Sequence, residues 1–172
     1  MPTWTIEDSD MKSNILLGDL QVKDISHLLV ENPASVPAGA PLREVLAKMI
    51  EDLRTRQIYV VDDEYRLIGV VRMNSVVEYL FPYDAIIEHS ESLNLYAAYI
   101  PKVDAQTAAD LMISPPAWVT GETTLGEMAR LMMKEGLNEL PVVDGRKRLI
   151  GQVNMYEAIS AYLSIEQGSS VD

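Results

Sequence analysis

Leu42, Val45, Leu46, Met49, Ile50 and Leu53 fall three and four positions apart with charged residues between them, which predicts an amphipathic helix. Pro41, just ahead, presets a backbone angle suited to a helix start. The period then changes. Ile58-Tyr59-Val60-Val61 and Leu67-Ile68-Gly69-Val70-Val71 are continuous apolar runs separated by the acidic stretch Asp62-Asp63-Glu64, which predicts a β-hairpin. A second helix is expected over Asn74 to Leu80, ended by Pro82. Upstream, Val36 sits in a short extended stretch bounded by Pro33 and Pro37.

The same order returns downstream. Val119 follows Pro115-Pro116, and Thr124-x-x-Glu127 has the spacing of a capping box. Leu125, Met128 and Met132, with Leu131 and Met133 beside them, form a helix face that Gly136 closes. Pro141-Val142-Val143 and Leu149-Ile150-Gly151-Gln152-Val153 flank an Asp144-Gly145 turn, and Met155 to Leu163 is the last helix. Residue identities support the correspondence. Val60-Val61-Asp62 and Arg66-Leu67-Ile68-Gly69-x-Val71-x-Met73 recur 82 positions later, while Val36, Leu42, Glu44 and Met49 recur after 83. A duplicated unit must bury the same faces twice, so two alike modules are expected. The fold class is α+β, with two β-α-β-β-α repeats at 22–81 and 107–164. The intervening 82–106 carries Ile86, Ile87, Leu93, Tyr96, Tyr99 and Ile100 at near-helical intervals and is expected to be a helical insertion. Residues 1–21 form an N-terminal segment expected to be partly disordered, and 165–172 a disordered tail.

The doubled h-x-V-V-D and R-L-I-G-x-V segments, each between two helices, resemble a tandem CBS domain pair (a Bateman module). The resemblance implies repeats packed about a pseudo-twofold axis, with clefts between them that hold adenine nucleotides or related adenosyl compounds. It further implies homodimerisation and a regulatory role acting on another protein. Ligand-binding members carry G-x-x-T/S-x-x-D at the end of the last strand. Here the segments read Gly69-Val70-Val71-Arg72-Met73-Asn74-Ser75 and Gly151-Gln152-Val153-Asn154-Met155-Tyr156-Glu157, a departure in both copies.

The substitutes still have usable chemistry. Glu157 keeps a carboxylate able to accept ribose hydroxyls, and Asn154 can donate to a phosphate oxygen. Arg72 and Arg56 are candidate phosphate contacts, and Ser75 is a weaker ribose acceptor. Val36 and Val119 would flank an adenine, with Thr120 offering a hydroxyl. The arginines compete with plain surface ion pairing, Asn154 with a helix cap, and Glu157 with an acid favoured by the helix dipole. Met128, Met132 and Met133 are expected in the core or on a dimer face.

Composition narrows the function. The net charge of −12, from 14 basic and 26 acidic residues without a basic cluster, argues against nucleic-acid binding and against adhesion to anionic membrane. No apolar run approaches bilayer length, no secretory signal is visible, and there is no cysteine, so a cytoplasmic location is expected. His27 and His89 lack partners at metal spacing, and no nucleophile–base pair or P-loop is found, so neither a metal site nor an enzyme is expected. No cofactor is required. The expected partners are an adenosyl ligand (AMP, ADP, ATP or an S-adenosylmethionine-like compound), a second copy of the chain and a regulated protein. The alternative is a ligand-free dimeric scaffold that binds a partner protein.

Overall fold

The computed structural model describes residues 17–52, 55–81 and 104–166. Most of the expected helical insertion (82–103), residues 1–16 and the tail beyond 166 lie outside them. The chain divides into two compact units, Pro33–Pro116 in one and the segments up to Asn32 and from Ala117 in the other.

In the Pro33–Pro116 unit, β1 (Ser35–Pro37), β2 (Gln57–Val61) and β3 (Leu67–Arg72) form a sheet in that order. β1 runs parallel to β2, with Val36 opposite Val60, and β2 pairs antiparallel with β3, with Gln57 opposite Arg72. All five β2 residues are buried, which explains a continuous apolar run in place of alternation. Helix α1 (Leu42–Glu51) turns Leu42, Val45 and Met49 inward onto Val36, Ile58, Val60 and Val71. Ile50, counted in the expected apolar stripe, is 72% exposed: it lies one residue past Met49 and so about 100° off the buried line. Helix α2 (Met73–Leu80) follows β3 directly, and the four-residue α3 (Ala108–Leu111) returns Ala108 and Leu111 to the same core.

The other unit repeats this plan. α4 (Leu125–Glu135) packs Leu125, Met128 and Met132 against Val119, Leu140, Val142 and Val153 of β4 (Glu139–Val143), β5 (Leu149–Asn154) and the preceding segment. Val119 bridges Val142 in parallel, the counterpart of Val36 with Val60. The expected capping box is present: Thr124 Oγ1 accepts from the Glu127 N–H (3.2 Å), and Glu127 Oε2 accepts from the Thr124 N–H (3.0 Å). The bonds that the Glu127 carboxyl accepts from the Thr124 N–H and hydroxyl hold it below its usual range. Gly136 ends the helix at φ 64°, a left-handed angle natural to glycine. Met128 and Met132 are core residues, and Met133 is 75% exposed. α5 (Met155–Glu166) runs three residues past the expected helix end.

The hairpin turns depart from expectation in one respect. Gly145 does not supply the left-handed residue; Lys147 (φ 61°) and its counterpart Tyr65 (φ 62°) do. An aspartate makes this tolerable. Asp144 Oδ1 accepts from the Arg146 and Arg148 N–H groups (2.8 and 2.9 Å), and Asp62 Oδ1 does the same for Glu64 and Arg66 (3.0 and 2.9 Å). Each aspartate also takes an arginine Nε at 2.7 Å, and the backbone bonds, led by Arg148 and Arg66 respectively, hold both carboxyls below their usual range.

The compact units do not follow the sequence repeats. The 3-10 helix Val22–Leu28, which opens the first repeat, packs Val22 and Ile25 into the core built from the second. Val30 and Gln152 exchange two backbone hydrogen bonds (3.0 and 3.1 Å). Reciprocally, Ile113, which opens the second repeat, exchanges two with Val70 (2.8 and 3.1 Å). Even the anchoring bonds match: Val22 and Lys23 N–H donate to Thr123 and Gly121, as Ala108 and Ala109 donate to Ala40 and Ala38. Each repeat has handed its leading segment to the other's sheet.

Candidate ligand-binding residues

In each unit the last strand feeds a helix without a loop, so the strand-end residue and the helix's first turn share one place. In the Pro33–Pro116 unit this gathers Arg72 at the end of β3, Ser75 in the first turn of α2, and Arg56 and Gln57 at the start of β2. Gln57 is register-paired with Arg72, and the Arg56 carbonyl accepts the Met73 N–H at 3.0 Å. Arg56 is exposed, while Arg72 and Ser75 are half-buried. The Arg72 Nε is buried with no hydrogen-bond partner among the described residues, and no side chain caps α2. A helix start carries unsatisfied N–H groups and a positive dipole end. Together with two guanidinium groups, it makes this end of the sheet suited to an anion.

The equivalent place in the other unit has different chemistry. Arg56, Gln57, Arg72 and Ser75 are replaced, 82 positions on, by Asn138, Glu139, Asn154 and Glu157. Glu157 is buried, and its Oε2 accepts the Asn154 N–H at 2.6 Å, while Asn154 Oδ1 accepts the Tyr156 N–H at 2.8 Å. The two side chains therefore cap α5 themselves. Burial pushes the Glu157 carboxyl above its ordinary range, against the bonds from Asn154 that lower it. Glu139, 8% exposed, accepts from Gln152 Nε2 at 3.3 Å.

The remaining candidates lie elsewhere. The Val36 and Val119 side chains are sealed in the two cores at 2% and 1% exposure, leaving only backbone for a ligand. Thr120 follows Val119, whose carbonyl accepts from Val143 at the turn end of β4, the opposite end from Asn154 and Glu157. There Thr123 Oγ1 accepts the Thr120 N–H at 3.0 Å and lies 3.5 Å from its hydroxyl. At the strand-end side stand Ala34, whose carbonyl accepts the Tyr59 N–H, and Ala117. Pro33-Ala34 and Pro116-Ala117 are identical pairs 83 apart, a repeat that would have marked them. Among the described residues no group of His, Cys, Asp or Glu converges as a metal site, and no helix is long and apolar enough to cross a membrane. His89 lies outside those residues.

The CBS domain family model matches residues 22–82 and 108–164. The chain belongs to the CBS domain family, and its two matched segments make it a tandem CBS pair. The chloroplastic CBS domain-containing protein CBSX2 of Arabidopsis thaliana is 27% identical over 134 residues, covering 70% of this chain and 55% of that protein. A crystal structure of CBSX2 in complex with AMP matches with a TM-score of 0.65 at 26% identity, over 86% of this chain and 98% of that one. A Thermofilum pendens protein described as an uncharacterized 33.4 kDa protein in the ribosomal RNA operon is 27% identical over 135 residues, 77% of this chain and 43% of its own length. The chain thus spans about half the length of these two relatives.

Proposed function

We propose that this CBS pair is a regulatory module that binds an adenosyl-type nucleotide and carries no catalysis of its own. The observation that carries the reading is the strand end of the Pro33–Pro116 unit. Among the described residues, Arg72 presents a buried Nε without a hydrogen-bond partner beside a helix that no side chain caps, in a fold whose relative CBSX2 was crystallised with AMP. Arg56 and Arg72 meet phosphate, Ser75 and the Ala34 backbone meet the nucleoside, and AMP, ADP and ATP are the compounds to test first. A ligand acts here by preferring one of two arrangements of the chain; equal affinity for both would switch nothing.

Homodimerisation through exposed apolar side chains is part of the proposal. Val77, Leu80 and Phe81 of and after α2, and Ile159 and Leu163 of α5, are between 46% and 53% exposed, and Val77 and Ile159 are equivalent positions.

A thermal-shift series tests the ligand reading. At a hundred times the dissociation constant, a bound nucleotide adds about 2.7 kcal/mol of stability. Absence of any shift with AMP, ADP, ATP or S-adenosylmethionine, with a dimer in sedimentation, would establish the ligand-free scaffold instead.

A further inference from the structure

We infer that the two units of this chain are split by ligand charge: the Arg72 end takes a phosphate-bearing nucleotide, while the Asn154–Glu157 end excludes phosphate and admits only an uncharged nucleoside. The inference rests on the adenosyl reading above and assigns a ligand class to each unit.

The two ends are built on one backbone plan, so their side chains can be compared position by position. Gln57 pairs with Arg72 as Glu139 pairs with Asn154, and the Met73 N–H donates to Arg56 as the Met155 N–H donates to Asn138, both at 3.0 Å. Into that common frame the first unit places two guanidinium groups and the second two carboxylates. The exchange reaches the interior. Arg72 is half-buried, and its Nε is buried without a hydrogen-bond partner among the described residues, so this donor is left unanswered. A phosphate oxygen supplies the missing acceptor, and the uncapped start of α2 adds N–H groups beside it. At the other end the chain supplies its own anion. Glu157 Oε2 holds the Asn154 N–H, Asn154 Oδ1 holds the Tyr156 N–H, and the positive end of α5 is already answered. A phosphate there would meet the Glu157 carboxylate and the nearby Glu139 carboxylate with little water to screen them, whereas a ribose hydroxyl can donate to the second Glu157 oxygen.

Isothermal titration of the full chain tests this directly. ATP is expected to saturate one site per chain, and adenosine added to ATP-saturated protein is expected to bind one further equivalent. Arg72→Gln is expected to weaken ATP at least tenfold more than it weakens adenosine, and Glu157→Gln to show the reverse order. Two equivalent ATP sites, no adenosine binding to ATP-saturated protein, or equal losses of both ligands in Arg72→Gln would overturn the charge split and leave the adenosyl reading standing. No binding of ATP, AMP or adenosine at all overturns both. The stoichiometry is read on the unmodified chain, so the test stands even if a variant folds poorly.

Discussion

Gly69 and Gly151 occupy the same place in the repeated Arg-Leu-Ile-Gly segment, yet the structure assigns them different tolerances. A Cβ built on Gly69 collides with the Met112 side chain, meeting its Sδ and approaching its Cγ at 2.9 Å and Cβ at 3.1 Å. One on Gly151 meets only the Val30 carbonyl at 3.4 Å and Leu29 side-chain atoms at 3.9 Å or more, ordinary contact distances. Overpacking a filled site costs about 1–3 kcal/mol. Against this, alanine in a strand interior recovers about 0.5–1 kcal/mol of the backbone entropy that glycine loses. Gly69→Ala is therefore expected to destabilise by about 1–2 kcal/mol, and Gly151→Ala to be neutral or slightly stabilising. Urea unfolding of both variants measures the difference. Met112→Ala in the Gly69→Ala background should show a favourable coupling of about 0.5–2 kcal/mol, because the clash and the methionine are in contact. Equal costs at the two glycines, or no coupling with Met112, would refute the packing of the exchanged segment against β3.

Met128→Ala is expected to cost about 2–5 kcal/mol and Met133→Ala less than about 0.5, compared by chemical unfolding, because the first fills the core and the second is 75% exposed. Thr124→Ala removes the acceptor for the Glu127 N–H and should cost about 1 kcal/mol in the same assay. For Glu157 the sign follows from its raised carboxyl. The folded state binds the proton more tightly than the unfolded one, so stability is highest below the ordinary carboxylate range and falls as pH rises through the raised folded value. Glu157→Gln removes that decline, and melting points between pH 4 and about 7 should diverge in favour of the variant as pH rises. Asp62 and Asp144 act oppositely, since lowered carboxyls stabilise above their unfolded values and lose that contribution as pH falls through the folded ones. Asp144→Asn should accordingly flatten the acid limb of the melting curve.

Much of the fold was legible because burial writes its period into the chain. The apolar run at Ile58–Val61 marked a strand covered on both faces, and Thr124, Glu127 and Gly136 marked the two ends of α4 through hydrogen bonds local to the helix. Long-range choices were not legible. Nothing in Val22 or Ile25 says that they pack with Leu125 and Met128 and not with their own repeat, since both sheets offer an equivalent apolar seat. Asp144-Gly145 suggested a glycine-led turn, but the aspartate's acceptance of two backbone N–H groups moved the left-handed residue to Lys147. At the strand ends the departures from the family motif singled out Arg72, Asn154 and Glu157, which end β3, end β5 and lie in the first turn of α5. Whether each side chain is answered by the chain itself depended on burial and bond geometry, which no spacing reveals. Adjacency to Val119 does not tell which end of the sheet Thr120 lies at.

Backbone amide chemical shifts during an AMP titration decide whether the Arg72 strand end holds nucleotide. Saturable shifts are expected at Arg56–Gln57 and Arg72–Ser75, together with their loss in Arg72→Gln. Saturation with no change at those amides, or unchanged shifts in the variant, would contradict binding there.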